Sequence, residues 1–281
     1  MKITSDIHIH TALSSCARPD ATVEAYVEGA KRDGLSVLGF SDHLWDSAIP
    51  GVSGWYRPQN VEHVLQLKKE LPKSGEMDGV KILFGCETEF THESKLCLAE
   101  ENFQLFDYVL VPHSHTHMNV VVPRERIDTL ESHAKYLMDS FMMLVEHPLA
   151  HKITSIAHPF VPGTKFDIYN ATQALIPSSY FYEAFAAARE VGVAIELNGS
   201  CLHDKSESGL QNCEYARIYT IAKECGCRFT YGSDSHSTVG DTRDIGAVAR
   251  FFDICGITEN DLLSVDEIIQ KSKNNPKGII L

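Results

Sequence analysis

The sequence predicts an α/β protein with parallel strands closed into a β/α barrel. Three observations carry this: short β-type runs alternate with amphipathic helical stretches, seven such runs occur, and no glycine-rich phosphate or dinucleotide loop follows the first. The runs cover residues 3–10, 36–42, 80–90, 108–115, 153–158, 193–198 and 228–234. Alternation with short connections implies parallel pairing, which suits a barrel or a doubly wound sheet. The missing nucleotide loop weakens the second option.

Taken in order, the first run leads into a helix with Val23, Tyr26, Val27 and Ala30 at i, i+3, i+4, i+7, closed by Gly34 before the second run. Residues 44–60 hold Trp45, Trp55, Tyr56, Gly51, Gly54 and prolines, and read as a long loop of the kind that walls an active site. The third, fourth and fifth runs follow. Phe181, Ala184, Phe185 and Ala188 then mark a helix ended by Gly192 before the sixth run, and Tyr215, Ile218, Tyr219 and Ala222 mark one ended by Gly226 before the seventh. Ile245, Val248, Ala249 and Phe252 form the last periodic set.

A chain of 281 residues with 43% hydrophobic and 22% charged residues has the balance of a globular protein, which excludes disordered and fibrous classes. With no linker, repeat or low-complexity tract, residues 1–281 read as one domain. No apolar run reaches the roughly 18 residues that a membrane span needs, and the N-terminus lacks a signal-peptide pattern, so a cytoplasmic location and no membrane partner are expected. Eight scattered cysteines without a CxxC pair read as buried thiols and not as a disulfide framework. The net charge of −13, with no Lys/Arg block, opposes an extended nucleic-acid groove, although acidic metal ligands overstate the charge of a metal-loaded protein. Nothing in the sequence speaks to oligomeric state.

The informative pattern is that nearly every run ends in residues that bind metals. The first ends Asp6-Ile7-His8-Ile9-His10, the second Ser41-Asp42-His43, the third Gly85-Cys86-Glu87, the fourth His113-Ser114-His115, the fifth Ala157-His158-Pro159 and the seventh Gly232-Ser233-Asp234-Ser235-His236. In a parallel barrel these ends share one face, so residues about 200 positions apart converge there. Strand alternation aims Asp6, His8 and His10 one way, and likewise Asp234 and His236. Imidazoles with carboxylates suit zinc, manganese or iron, and a carboxylate such as Glu87 can bridge two ions.

At this point the chain resembles the PHP (polymerase and histidinol phosphatase) family, through Asp6-x-His8-x-His10-Thr11, Ser41-Asp42-His43, Gly85-x-Glu87, Ile156-Ala157-His158-Pro159 and Gly232-Ser233-Asp234-x-His236, in the family's order. The resemblance implies a distorted seven-stranded β/α barrel binding two or three divalent transition metal ions. It implies that His8, His10, Glu87 and Asp234 hold one ion, that Glu87, His115 and His158 hold a second, and that His43 and His236 face a third. Where the family often carries a further His or Asp, this chain has Cys16, a thiolate donor in principle. His113, His115 and His117 alternate; the resemblance favours His115 as the ligand, with His117 left to substrate or to an outer position. Catalysis is ascribed to Glu87, Asp234 and His236.

Some residues carry blander readings. Asp6 and Asp42 read as carboxylates that orient histidines, a support metal sites commonly need, and Asn198, which follows Glu196, as another outer partner. Glu89 reads equally as a solvated residue or as such a partner. His63, His92, His133, His147, His151 and His203 lack the strand-end signature, and Cys86 reads as a packed thiol. Arg18, Arg57, Arg124 and Arg243 are of the type that grips phosphate, yet each reads better as solvent-exposed.

A bridged metal pair acidifies a bound water and neutralises oxygens that gain charge, which phosphoester hydrolysis uses. No nucleophile elbow is present. The expected function is therefore hydrolysis of a small phosphate monoester by metal-bound hydroxide, with histidinol phosphate as the first substrate to try. The competing readings are a phosphodiesterase of nucleotides or short oligonucleotides, a C–N bond amidohydrolase, and a non-catalytic regulatory module; the last fits poorly, because such domains lose ligands and here only Cys16 departs.

Overall fold

The computed structural model describes residues 1–163, 166–238 and 243–273. Its strands, in chain order, are β1 (Ser5–Ile9), β2 (Val37–Phe40), β3 (His43–Leu44), β4 (Glu76–Met77), β5 (Val80–Thr88), β6 (Tyr108–Pro112), β7 (Ser155–Ala157), β8 (Ala194–Asn198) and β9 (Phe229–Gly232). Seven of them run side by side in the order β1-β2-β5-β6-β7-β8-β9, all parallel. The ends meet: Asp234 N donates to His8 O at 2.8 Å and His10 N to Ser235 O at 2.9 Å, with an isolated parallel bridge between Ile9 and Ser235. The result is the nearly closed parallel barrel that the alternating runs imply.

Two features of the strands depart from the sequence reading. The short strands β3 and β4 were not anticipated; β3 pairs parallel with the end of β5, and β4 folds back antiparallel on its start. The regular strands also stop earlier than the β-type runs, so His113, His115, His158, Asp234 and His236 all lie on the turns just beyond them. Side-chain alternation therefore does not extend to those residues.

The four periodic sets form helices Val23–Asp33, Ser178–Val191, Glu214–Glu224 and Ile245–Ile254. Gly34 and Gly192 end two of them in the left-handed region that a side chain would resist. In Ile245–Ile254 the inward face is Ala247, Val248, Phe251 and Phe252, one step from the set containing Ile245 and Ala249. The longest helix, Leu130–Val145, escaped the periodic reading because its buried face includes His133 and Ser140, which interrupt the apolar stripe. Among the described residues no helix is long and apolar enough to cross a membrane.

One apolar cluster joins the strands to the surrounding helices; a second joins Ile7, Val37, Leu83, Tyr108, Leu110 and Ala157 of the barrel strands to Ile268 of helix Val265–Lys273. Tyr108 reaches from β6 across β5 to β2. A Cβ on Gly85 would stand 2.3 Å from its ring, and one on Gly39 2.5 Å from its hydroxyl, so these two positions must lack a side chain. The glycine of Gly85-Cys86-Glu87 thus serves packing below the candidate ligands. No disulfide links the cysteines; Cys86, Cys97, Cys227 and Cys255 are buried, Cys201, Cys213 and Cys225 are intermediate, and Cys16 is exposed.

Candidate metal centre

Eight of the sequence-selected residues converge above the strand ends: His8 from β1 and His10 just past its end, His43 from β3, Glu87 from β5, and His115, His158, Asp234 and His236 from the turns after β6, β7 and β9. The β3–β5 pairing sets His43 directly beside Glu87. His158 and Asp234 adopt positive φ values of 29° and 56°, which non-glycine residues rarely take. That strained backbone, and not strand alternation, turns Asp234 toward His8 and His10.

Four sets of donor atoms lie within 4.8 Å of one another: His8, His10 and Glu87; Glu87, His115 and His158; His8, His158 and Asp234; and His10, His43 and His236. The two oxygens of Glu87 face different sets. Oε2 lies 3.5 Å from both His8 Nε2 and His10 Nε2, while Oε1 lies 3.0 Å from His158 Nε2 and 3.7 Å from His115 Nε2. Asp234 Oδ1 lies 3.6 Å from His8 Nε2 and 3.3 Å from His10 Nε2, and those two nitrogens approach each other to 3.1 Å. Tetrahedral ligands at about 2.0–2.2 Å from an ion stand roughly 3.3–3.5 Å apart. The spacing fits a donor cage, and so does the donor chemistry. His43 Nδ1 comes within 2.9 Å of Glu87 Oε2, yet it is buried without a hydrogen-bond partner.

His8, His158 and His115 are held from behind. Glu196, on β8, places Oε1 2.7 Å from His8 Nδ1 and accepts the His158 backbone N–H on Oε2 at 2.8 Å, tying two ligands together. Sequence reasoning assigned it no role, although a carboxylate inside the apolar run of residues 193–198 needs a partner once buried. Gly232 leaves room for that contact; a Cβ there would stand 2.3 Å from both Glu196 Oε1 and His8 Cβ. Asn198 bonds Glu196 Oε2 and Asp234 Oδ2, both at 3.3 Å. Glu89, read as either solvated or outer, is buried, with Oε1 2.6 Å from His115 Nδ1 and accepting the Tyr56 hydroxyl. Ser114 Oγ sits 3.0 Å from His158 Nδ1.

The expectation for Asp6 and Asp42 is corrected: neither carboxylate touches a histidine ring. Asp6 accepts the backbone N–H groups of His8 and Ser233, fastening β1 to β9. Asp42 accepts Thr11 N, Thr11 Oγ1 and Ser14 Oγ, each at 2.7 Å, and reaches His10 only through Ser14, whose Oγ is 3.1 Å from His10 Nδ1.

His113 and His115 do not share a face, because the strand ends at Pro112 and the chain turns between them. His113 packs edge-on against Phe141 and Phe160, and its Nε2 accepts Phe160 N at 2.9 Å, away from Glu87. Burial, with His158 nearby, lowers its pKa to about 3. His117 lines the cavity outside His115 and is lowered to about 4 by burial and the His115 charge. The remaining histidines stay outside the centre; His133, for example, bonds Thr116 Oγ1 at 2.7 Å.

Burial alone would raise the Glu87 carboxyl, but the His8, His43 and His115 rings and the His158 hydrogen bond hold it well below the usual range. Asp234 is held low against burial by His8, His10 and His236. For His8, His43, His115 and His236 burial works toward the neutral form, yet neighbouring acidic groups win and raise all four; His10, pressed by burial and by His236 and His43, is lowered. Burial raises the Cys16 thiol, but hydrogen bonds with His236 and His43 outweigh it and bring it to about 6.

The centre opens into a cavity of about 570 Å³ whose lining includes Cys16, His43, Trp55, His115, His117, Tyr169, Cys201, Asp234 and His236, with no lysine or arginine among the described lining residues. Trp55 belongs to the loop 44–60, which therefore does supply a wall. A second cavity, of about 620 Å³, shares Tyr169 and Cys201 with it. Arg18, Arg57 and Arg124 are exposed, outside the lining. Arg243 departs from its expected exposure: it is buried, with its guanidinium over the Tyr26 ring and Nε 3.6 Å from Asp33.

Against known proteins, the model of the PHP domain matches residues 6–200, a span that takes in the ligand candidates from His8 to His158 and stops short of Asp234 and His236. A probable phosphatase of Thermoanaerobacter sp. (strain X514) is 27% identical over 270 residues, covering 95% of this chain and 92% of its own. In structure the chain is similar to histidinol phosphate phosphatase of Lactococcus lactis subsp. lactis Il1403, solved with zinc, L-histidinol and phosphate, at a TM-score of 0.64 and 20% identity over 91% of this chain and 94% of that one. It is also similar to a putative histidinol phosphatase of Listeria monocytogenes, at a TM-score of 0.58 and 15% identity over 86% and 99% of the two chains. At these identities the structural likeness is one of fold.

Proposed function

The chain belongs to the PHP domain family, and on that premise we propose that it is a metal-dependent phosphoesterase that hydrolyses a small phosphate monoester, histidinol phosphate being the first candidate. The observation that carries the reading is Glu87, a buried carboxylate with one oxygen toward His8 and His10 and the other toward His115 and His158. Such a carboxylate suits a bridged pair of ions. The phosphatase names of the relatives and the zinc and phosphate of the Lactococcus structure support it. The whole chain, residues 1–281, is read as one hydrolase domain.

In this reading His8, His10, Asp234 and Glu87 hold one divalent ion, Glu87, His115 and His158 a second, and His10, His43 and His236 face a third; zinc, manganese and iron all suit these donors. When bound, the ions supply Lewis-acid charge and an acidified water. The protein's part is to keep His8 and His115 in the tautomer whose Nε2 is unprotonated, which Glu196 and Glu89 do by accepting from Nδ1. Glu87 sets the separation of the two donor sets, and Asp234, steered by Asn198, closes the first. His236, its side chain 32% exposed and its Nδ1 bonded to Asp234 O at 2.9 Å, lines the cavity, where, with no third ion bound, its Nε2 can hand a proton to the leaving oxygen. His117 contacts the substrate farther out, and the adjoining cavity offers room for its organic part. The phosphate charge is met at the metal centre.

The test is phosphate release by metal-stripped protein reloaded with zinc, manganese or iron. It should show turnover of p-nitrophenyl phosphate or histidinol phosphate that exceeds turnover of the bis-ester. Preference for the diester would move the reading to a phosphodiesterase acting on nucleotides; activity on C–N bonds alone would move it to an amidohydrolase; inactivity in every metal form would leave a non-catalytic module.

A further inference from the structure

The far nitrogen of His115 is held by Glu89, one residue past the end of β5, whose Oε1 lies 2.6 Å from His115 Nδ1. That oxygen is shared. The Tyr56 hydroxyl donates to it as well, while Oε2 is buried with no hydrogen-bond partner among the described residues. Met118 Sδ, 3.8 Å from the hydroxyl, is a weak alternative acceptor. Tyr56 and Glu89 are both fully buried. The tyrosine ring is fixed in its place: it packs with Trp45 and Cys97 and meets the Trp55 ring edge-on at 4.6 Å, while Gln59 N donates to Tyr56 O at 2.7 Å and Tyr56 N to Ser53 Oγ at 3.3 Å. Tyr56 is not among the described residues that line the cavity, whereas its neighbour Trp55 is.

We propose that Tyr56 is a positioning residue for the donor set of Glu87, His115 and His158: its hydroxyl fixes the Glu89 carboxylate and, through it, the orientation and tautomer of the His115 ring. The proposal rests on the metal-dependent reading above and gives the loop of residues 44–60 a task beside that of a wall. For His115 Nε2 to offer a lone pair to an ion, Nδ1 must carry the proton and donate it. Glu89 is the acceptor, and the terminal torsion of a glutamate is soft. Two donors converging on one oxygen oppose that torsion, since any tilt of the carboxylate breaks both bonds. Without the Tyr56 hydroxyl only His115 itself holds Glu89, and the acceptor no longer dictates where the imidazole points. A buried carboxylate also needs its donors, and Tyr56 supplies one of the two that the Glu89 side chain has among the described residues. Because Trp55 and Tyr56 are adjacent, one piece of chain both lines the cavity and steadies a candidate ligand.

The probe is zinc. The full chain is stripped of metal and titrated in competition with a chromophoric chelator, with circular dichroism as the check on folding. Tyr56→Phe removes the hydroxyl and keeps the ring; one zinc equivalent should bind about tenfold more weakly than in the wild type while the others hold, the usual effect of losing an outer partner. Glu89→Ala should weaken the same equivalent, and Tyr56→Phe should add nothing in that background. Alanine is the choice there because a glutamine oxygen could still accept both bonds. Cys97→Ala, which loosens the packing around Tyr56 without touching its hydroxyl, should lower the unfolding temperature and leave zinc binding alone. With a phosphate monoester at limiting zinc, Tyr56→Phe should lower kcat with KM unchanged, and saturating zinc should restore kcat. Equal zinc affinities in Tyr56→Phe and the wild type, or an undiminished loss when Tyr56→Phe is added to Glu89→Ala, overturn the proposal. Should Tyr56→Phe fail to fold, fluorotyrosine at position 56 supplies the readout: its fluorine resonance should shift as zinc is added and shift less in Glu89→Ala, and a resonance that zinc leaves unmoved overturns the proposal. If Tyr56→Phe binds zinc like the wild type while both hydrolyse phosphate esters, Tyr56 has no positioning role and the phosphatase reading stands. If the hydroxyl-dependent zinc affinity appears in a protein that hydrolyses no phosphate ester, the positioning role stands and that reading falls.

Discussion

Replacing Glu196 by glutamine probes the part of the centre that is least visible from outside it. The carboxylate accepts on both sides: Oε1 faces His8 Nδ1 at 2.7 Å and Oε2 faces the His158 backbone N–H at 2.8 Å. For His8 Nε2 to point a lone pair at an ion, Nδ1 must carry the proton and needs an acceptor. An amide has one acceptor. If its oxygen stays on His8, its NH2 meets the His158 N–H and a buried donor goes unsatisfied, at about 1–3 kcal/mol. If it flips, the NH2 donates to His8 Nδ1, forces the proton onto Nε2 and removes the ligand. At about 1.4 kcal/mol per tenfold, the milder outcome weakens metal binding roughly tenfold to a hundredfold. Competition for zinc against a chromophoric chelator measures this, with circular dichroism to confirm that the variant stays folded. A folded Glu196→Gln protein that binds zinc as tightly as the wild type would show that the Glu196 contacts do not set the His8 tautomer.

Glu87→Gln should abolish most turnover and lower the number of ions retained while leaving the circular dichroism spectrum nearly unchanged; activity near wild type removes Glu87 from the centre. His115→Ala should lose metal and turnover, whereas His113→Ala should keep its metal and lose stability by about 2 kcal/mol or more, since it opens a cavity against Phe141 and Phe160 and orphans the Phe160 N–H. His117→Ala should mainly raise KM, and metal loss in His113→Ala with retention in His115→Ala would reverse the two roles. The raised pKa values of His8, His43, His115 and His236 mean that these rings hold protons more tightly than a free imidazole in the metal-free protein, so zinc competes with protons for them. Apparent zinc affinity should therefore fall as pH drops below 7, with protons released on binding, readable by calorimetry in buffers of different ionisation enthalpy; pH-independent affinity contradicts these directions.

The parallel barrel and most of the candidate ligand set were legible in the sequence for a local reason. Ligand types recur at the ends of β-type runs, and a parallel barrel collects those ends on one face whatever lies between them. His8, His10, Glu87, His115, His158, Asp234, His43 and His236 could therefore be chosen without knowing a single contact. Family resemblance was needed to prefer His115 to His113, because the alternation that equated them ends with the strand at Pro112. What the tertiary structure alone decided is which buried groups face one another across strands. Glu196 and His8 are 188 residues apart, and no local period links them. Asp6 and Asp42 looked like ring orienters, yet backbone N–H groups near the strand ends claim Asp6, and Thr11 and Ser14 claim Asp42. Arg243, expected in solvent, lies under the first helix beside Tyr26 because helix and strand close over it. Gly85 and Gly232 illustrate the same division. The letters mark places without a side chain, but only packing reveals that one admits the Tyr108 ring and the other the contact between Glu196 and His8. Sequence spacing determines where along the chain donors fall; the close-packed interior, where each buried polar group must find a partner, determines which of them act together.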